Sequence, residues 1–323
     1  MRRAPVSIVA VLAGAALAGC GAGSDRAERA ALAALNTPPA QAPASKPSSP
    51  PPRCSHPYAS LRPPAVMPAP GAMPAGSLMA RIRRRGFLIA GVDQNTQLFA
   101  YFNPLHGQLE GFEIDLLRQL AGRIFGDPHD VRFVALTTSE RISAVQSGKV
   151  DVVADAVTIT CERRRQVDFS TVYYNAGQKL LVPSNSSARS VADLAGKKVC
   201  ATQGSTTIKT LERLRPRVVP YPVAQRTDCL VALQEGLVDA ISSDDAILLG
   251  FKAQDPYTKI IGPSLAPEPY GMAISKTQPE FVRFVNGVLQ QMRADGAWRA
   301  IYSRWPGRFS RTIPAPPTPQ YEG

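Results

Sequence analysis

The sequence has little of what metal centres and catalytic sites are built from. It contains three histidines, His56, His106 and His129, which show no metal-ligand spacing, and no two cysteines form a C-x-x-C pair. No nucleophile stands beside a recognisable general base, and no separate catalytic domain is visible. We therefore predict no metal, no other cofactor and no enzymatic activity.

Signatures of nucleic-acid binding are also missing. The 323 residues carry a formal net charge of +12, a charge that could serve nucleic acid, an anionic envelope surface or an acidic ligand. The arginines are scattered apart from runs at 83–85 and 163–165, and no nucleic-acid-binding motif accompanies them. We predict a solvated basic face and no nucleic-acid partner.

Long hydrophobic runs are absent after residue 17. Residues 6–17 are almost all apolar or small and follow two arginines, a pattern typical of a cleaved export signal and too short for a membrane span. Residues 17–20, Leu-Ala-Gly-Cys, resemble a bacterial lipobox, in which diacylglycerol is attached to the sulfur of Cys20. We predict a signal peptide over 1–20 and a lipid anchor at the outer face of the cytoplasmic membrane. The alternative is an ordinary export signal with an incidental cysteine.

Four cysteines remain after this signal, and an even number in an exported chain suggests two disulfides. They are Cys54, Cys161, Cys200 and Cys229, and three connectivities are possible. We favour Cys200–Cys229, which would link a strand to a helix within one domain. The remaining pair, Cys54–Cys161, would then tie the N-terminal arm to the body.

Proline marks both ends of the chain. Residues 21–77 are rich in proline, alanine and serine, which indicates a semi-rigid, mostly disordered tether. Residues 307–323 are again rich in proline, so we predict an irregular tail. The folded body is then expected between residue 78 and residue 306.

Strands and helices alternate within this body. Apolar runs predict strands at 87–92, 131–136, 150–157, 198–202 and 238–242. Helical spacing of apolar residues predicts helices around 114–124, at 141–147 and around 281–292. The alternation predicts an α/β fold with parallel strands.

Two segments of the chain echo each other. Residues 144–153 and 232–241 each show a helix end at glycine (Gly148 and Gly236), a short turn and a buried strand. This suggests two similar α/β lobes, although any helix-to-strand turn can look like this.

Four segments in order resemble the bacterial extracellular solute-binding proteins of family 3, which bind polar amino acids for ABC importers; they are residues 111–116, 141–142, 146–151 and 158–170. The likeness covers essentially all of 80–306. It is strongest to actinobacterial glutamate/glutamine-binding lipoproteins. It implies a two-lobed periplasmic-binding-protein type 2 fold, each lobe a mixed sheet flanked by helices, with a two-strand hinge. Lobe 1 would comprise 78–182 and 265–306, and lobe 2 would comprise 183–264.

The resemblance also implies a site for a free amino acid between the lobes. Arg163 occupies the family's carboxylate-binding position, and a guanidinium suits a carboxylate because it offers two parallel donors. Thr158 would add a hydroxyl and a backbone N–H, and the carbonyl of Ala156 would meet the ammonium. Thr206 and Thr207, at a helix start, would complete the carboxylate cage from the second lobe. A plain helix N-cap is the alternative there.

The ammonium partner is predicted at the end of the strand 238–242. Asp244 matches the family acid that pairs with the α-ammonium. Adjacent Asp245 is the rival, and either residue could instead be an ordinary helix N-cap.

Two signals for the ligand side chain conflict. Asp93 resembles the position that accepts the amide of glutamine-type ligands, whereas Arg141, with Thr138, matches a place where glutamate-selective relatives grip a carboxylate. Arg141 could instead simply pair with Asp93 or Glu140. Phe102, with Phe99, could wall the apolar part of the ligand, although core packing is an alternative.

We therefore predict a monomeric binding protein that closes two lobes around glutamate, aspartate, asparagine or glutamine and delivers it to an ABC permease. One alternative is a sensor that presents the amino acid to a membrane signalling receptor. Another is a dehydratase-like enzyme on the same fold, with Asp93, Glu113 and Asp155 as acids or bases.

Overall fold

A computed structural model describes residues 54–310 and 312–322. Its strands are β1 (Leu88–Val92), β2 (Asn95–Thr96), β3 (Ala100–Asn103), β4 (Gln108–Glu110), β5 (Val131–Ala135), β6 (Val152–Val153), β7 (Asp168–Phe169), β8 (Tyr174–Pro183), β9 (Lys198–Thr202), β10 (Val219–Val223), β11 (Ala240–Asp244), β12 (Thr258–Tyr270) and β13 (Ala273–Ile274). Its helices are α1 (Leu78–Arg85), α2 (Phe112–Phe125), α3 (Arg141–Gln146), α4 (Cys161–Arg164), α5 (Thr206–Leu211), α6 (Arg226–Gln234), α7 (Asp245–Gln254), α8 (Pro279–Ala294) and α9 (Ala297–Arg304).

The described strands form two five-stranded sheets and one small sheet. The first large sheet has the order β5-β1-β6-β13-β7, and the small sheet has the order β2-β3-β4; we call their elements the first lobe. The second large sheet has the order β10-β9-β11-β8-β12 and defines the second lobe. Strand β1 is parallel to β5 and β6, as predicted, but β13, β8 and β12 pair antiparallel with their neighbours. The α/β prediction is confirmed, with mixed sheets.

Strands β8 and β12 connect the two large sheets. They pair with each other from Thr258↔Pro183 to Tyr174↔Tyr270, with a register shift between Ile261 and Ala266. The chain passes from β7 into β8 and from β12 into β13 at the same end of this pair. The predicted lobe boundaries after residues 182 and 264 fall inside these strands, because the pairing continues along the second sheet.

Helix α8 packs as its sequence pattern predicts. Phe281, Phe284, Val288 and Met292 recur at helical spacing and are all buried. Such a stripe stabilises a helix through the apolar area that it removes from water. The helix thereby fixes the C-terminal part of the chain to the first lobe.

One predicted strand is much shorter than its apolar run. The run 150–157 pairs as a strand only at Val152 and Val153, and the chain then leaves the sheet. Ala156 has a φ of 46°, in the left-handed region that a residue with a Cβ rarely adopts. The Glu113 carboxylate accepts a hydrogen bond from the Ala156 N–H at 2.7 Å. A side chain thus binds the backbone N–H that a neighbouring strand would bind in a sheet.

The N-terminal segment lies on the first lobe from residue 54 onward, within the range predicted as tether. Cys54 is bonded to Cys161, and Cys200 is bonded to Cys229, so the structure contains both favoured disulfides. The buried Asn286 amide donates to Ser60 Oγ at 2.7 Å. Ser60 also forms a bridge with Tyr321, which holds part of the otherwise irregular C-terminal tail. The proline-rich composition of the two terminal segments gives no sign of side-chain hydrogen bonds of this kind.

We expect replacement of Cys54 and Cys161 by serine to lower the free energy of unfolding by about 2–5 kcal/mol. The bridge joins residues 107 positions apart, so it strongly restricts the unfolded chain. Denaturant unfolding followed by tryptophan fluorescence measures the loss. Cys54→Ser alone is the control, and we expect it to cause nearly the same loss, because either change opens the bridge. A loss below about 1 kcal/mol in the double variant would contradict the argument.

Candidate ligand-binding site

A small cavity lies between the first and second lobes. Seven of the ten predicted ligand-binding residues line it, together with five further residues. The full lining is Thr138, Arg141, Ala156, Thr158, Thr202, Ser205, Thr206, Thr207, Arg226, Ser243, Asp244 and Ile247. Except for Ala156 and Ile247, every one of these side chains carries a polar group.

Arg141 supports the first-lobe wall. It is 3% exposed and begins α3. Its Nε donates to the Thr138 carbonyl at 2.9 Å, and its Nη1 donates to the carbonyls of Asp155 and Ala156 at 2.7 and 3.1 Å. Within the described ranges, its Nη2 makes no hydrogen bond. Arg141 therefore fixes the left-handed turn and retains donors for the cavity.

Asp244 ends β11 and is 4% exposed. Its Oδ2 accepts a hydrogen bond from the Tyr270 hydroxyl at 2.6 Å, whereas its Oδ1 has no partner among the described residues. Burial, followed by the nearby Glu268 carboxylate, raises the pKa of Asp244 to about 8. A buried carboxylate oxygen without a donor is costly, so this group is suited to a cationic partner.

Glu268, on the connecting strand β12, lies close to Asp244. It is 1% exposed, and its Oε2 accepts a hydrogen bond from Thr206 Oγ1 at 2.7 Å. The hydroxyls of Thr206 and Thr158 approach within 3.4 Å across the cleft. Burial raises the pKa of Glu268 as well. The carboxylates of Glu268 and Asp244 thus destabilise each other's ionised forms.

Arg163 borders a wider neighbouring cavity together with Thr158, Thr206 and Glu268. Its Nη1 donates to the Thr158 carbonyl at 2.8 Å, and its Nη2 donates to the Gly204 carbonyl of the second lobe at 3.2 Å. Burial lowers the pKa of Arg163 to about 9. The structure therefore places Arg163 at the junction of the lobes, and its role toward a carboxylate stays a prediction.

Arg226, the first residue of α6, reaches from the second lobe to the first. It is 5% exposed, and its Nη1 contacts Asp93 Oδ2 and lies 2.5 Å from Asp155 Oδ1. Burial alone would lower the pKa of Arg226, but Asp155 and Asp93 together raise it above its ordinary value. The three side chains form a buried ion cluster across the cleft.

Two predicted ligand contacts lie elsewhere. The Asp93 carboxylate accepts hydrogen bonds from the Asn95 N–H at 2.6 Å and from Thr96 Oγ1 at 3.0 Å, and it faces Arg226 rather than the cavity. Phe102 lies in β3 and is 52% exposed, away from the cavity lining. Phe99 is fully buried against Tyr174, so the core-packing alternative holds for it.

Sequence reasoning missed Arg226, Glu268 and Tyr270 as parts of the site. Arg226 is 133 positions from Asp93 and 71 from Asp155, so no local spacing connects them. Glu268 offered one signal: it stands between two prolines, close to the predicted lobe boundary at residue 265. A charged residue at such a position is buried only when it has partners.

Gly250 of α7 marks a tight contact between the lobes. A Cβ there would lie 2.6 Å from the Gln97 carbonyl oxygen. We expect Gly250→Ala to push the lobes apart and to weaken ligand binding about tenfold. Isothermal titration calorimetry measures this loss. Gly122→Ala is the control, because its Cβ would meet nothing closer than 3.7 Å; equal affinities for the two variants would contradict the prediction.

The sequence profile of the bacterial extracellular solute-binding proteins, family 3, matches residues 88–308. The chain belongs to this family. As a family-3 protein it is 36% identical over 228 residues to the ABC transporter glutamine-binding protein of Bacillus subtilis, covering 70% of this chain and 84% of that relative.

Solved structures show the same fold. An ancestral arginine-binding protein bound to glutamine shares 35% identity and a TM-score of 0.63, over 68% of this family-3 chain and 98% of the other. The solute receptor for L-cysteine of Neisseria gonorrhoeae shares 27% identity and a TM-score of 0.66, over 70% and 92% of the two chains. The predicted type 2 periplasmic-binding-protein fold is confirmed.

Proposed function

We propose that this protein is a lipid-anchored extracytoplasmic receptor for one polar amino acid of the glutamate, aspartate, asparagine and glutamine group, which it delivers to an ABC importer. The observation that carries the proposal is the buried Oδ1 of Asp244, which has no hydrogen-bond partner among the described residues and lies at a cavity that Arg141 and several hydroxyls also line. An α-ammonium satisfies such an oxygen, and guanidinium and hydroxyl donors suit a carboxylate. A free amino acid carries both groups.

The carboxylate end of the ligand has candidate donors on both lobes. Arg163 uses its guanidinium for two recorded hydrogen bonds to carbonyls, to Thr158 and Gly204. A guanidinium has five N–H donors, so others are left for a carboxylate. Thr158 and Thr206 stand beside it, one on each lobe. We assign the α-carboxylate to this group and the α-ammonium to Asp244.

The names of the relatives support an amino-acid ligand. One is a glutamine-binding protein, and a Salmonella typhimurium relative with 25% identity is a glutamate/aspartate import solute-binding protein. The ligands named for these relatives share an α-carboxylate and an α-ammonium and differ in the side chain. Both names denote binding, and one denotes an ABC transporter and the other import, which favours a transport role over the enzyme alternative.

A thermal-shift screen of the twenty amino acids on the full chain, purified in detergent, tests the proposal. We expect a rise in melting temperature with one or a few of the four candidates, because a ligand that binds the native state alone stabilises it. Uptake of the labelled amino acid should then fall in a deletion strain. No shift with any amino acid would refute the proposed function.

The lipid anchor is a separate prediction, on a residue outside the described ranges. Among the described helices, none has the length and apolarity to cross a membrane. We expect the mature protein to begin at a lipid-modified Cys20 and to partition into the detergent phase. Cys20→Ser should abolish both the added mass and the partitioning. Mass spectrometry that finds an unmodified Cys20 would contradict the anchor.

A further inference from the structure

The ion cluster of Arg226 with Asp93 and Asp155 has a feature that salt-bridge geometry alone does not explain. Arg226 lines the cavity, whereas Asp93 and Asp155 do not. Both acids are buried, at 4% and 1% exposure, and they belong to the first lobe, opposite Arg226. The second lobe therefore brings a cation that stands between the cavity and two acids.

We infer that Arg226 is a specificity-determining residue, which occupies an acidic pocket that would otherwise hold a basic ligand side chain. The inference rests on the proposed function. Two carboxylates around one guanidinium are the arrangement by which a protein binds an arginine side chain. Here the arginine belongs to the protein, so the pocket is already filled when the lobes meet.

The other polar groups of the pocket also suit a side chain that carries several hydrogen-bond donors. Arg226 Nη1 also donates to Thr96 Oγ1 at 3.1 Å, and its Nη2 donates to the Asp155 carbonyl at 3.2 Å. Asp155 Oδ2 has no partner within the described part of the chain. The pocket thus presents several acceptors to a cation, more than Arg226 uses.

Arg226 would exclude basic ligands in two ways, because it fills the acidic pocket and because its positive charge repels them. Arg226 and Arg141 are both cations on the cavity wall. A ligand with a lysine or arginine side chain would approach two positive charges and find the acids already paired. Acidic and amide side chains meet donors instead, and exclusion of the wrong partner is a common source of specificity.

Arg226→Met tests this inference, because it removes the charge and keeps an apolar side chain. Titration calorimetry on the full chain in detergent would compare glutamate, glutamine, arginine and lysine. We expect the affinity for the preferred wild-type ligand to fall at least about 30-fold, and binding of arginine or lysine to appear. Arg217→Met, at an exposed arginine of the same lobe, should keep the wild-type ranking.

A second variant decides the matter if Arg226→Met does not fold. Asp93→Asn combined with Asp155→Asn keeps Arg226 and removes its neutralising charges. We then expect the ratio of glutamate to glutamine affinity to rise about tenfold, since the exposed positive charge favours an anion. An unchanged ranking in the variants that fold overturns the inference alone. Absence of amino-acid binding by the wild-type protein overturns the proposed function with it.

Discussion

Replacement of Asp244 by asparagine will abolish amino-acid binding, while the melting temperature of the ligand-free protein will stay unchanged or rise. The affinity should fall roughly 100-fold or more, because the variant removes the charged partner of a buried ammonium. Asparagine keeps an oxygen that can accept the Tyr270 hydroxyl hydrogen bond. It also removes a group whose ionised form is destabilised by burial and by Glu268, so that the folded protein must hold it protonated at neutral pH, which opposes folding.

Asp245→Asn is the matched control for this variant. Asp245 is the neighbouring acid, but its Oδ1 accepts hydrogen bonds from the N–H groups of Gly177 and Ala246, and it does not line the cavity. Calorimetry should find near wild-type affinity for Asp245→Asn. If Asp244→Asn binds within a few-fold of the wild type, the ammonium is not held by this carboxylate.

The affinity for the amino acid will rise by about 50-fold between pH 6 and pH 8. The pKa of Asp244 is about 8, because of burial and of the Glu268 carboxylate, so the group is mostly protonated at pH 6. It must lose this proton before it can pair with an ammonium, so the dissociation constant should change about tenfold per pH unit below 8. The same carboxylate also interacts with Arg226, which lowers its pKa, and with Asp245, which raises it.

The stability of the ligand-free protein should show the opposite trend. The folded pKa of Asp244 lies above its ordinary value of 3.8. The folded state therefore binds more protons than the unfolded state between about pH 4 and pH 8, and this contribution to stability is lost as the pH rises through 8. Calorimetry in buffers of different ionisation enthalpy should detect about one proton released on binding near pH 7. A binding constant that does not vary over this range would contradict the assignment.

The sequence predicts those parts of the fold that depend on local pattern. The apolar spacing around 281–292 predicts a helix, and Pro279–Ala294 is one, because its buried face is contiguous in the chain. The run 150–157 predicts a full strand, yet most of it is irregular. Glu113 and Arg141, which both lie outside the run, bind its backbone and turn it at Ala156. No window of apolar residues contains that information.

The residues of the candidate site also fall into two groups, those that the sequence predicts and those that it does not. The resemblance names most of the residues that line the cavity, since family motifs mark positions at strand ends. It assigns Asp93 to the ligand, whereas the structure pairs Asp93 with Arg226, a residue that no motif singles out. Charge pairing across a cleft depends on how two lobes meet. That arrangement follows from packing of the whole chain and not from either segment.

The Tyr270 hydroxyl links Asp244 to the connection between the two large sheets. Tyr270 is the last residue of β12, one of the two strands through which the chain passes between the sheets. An ammonium bound at Asp244 would therefore lie beside a hydrogen bond that this connection itself makes. Loss of that bond in Tyr270→Phe would uncouple the carboxylate from the strand that links the sheets, without removing the negative charge of the carboxylate.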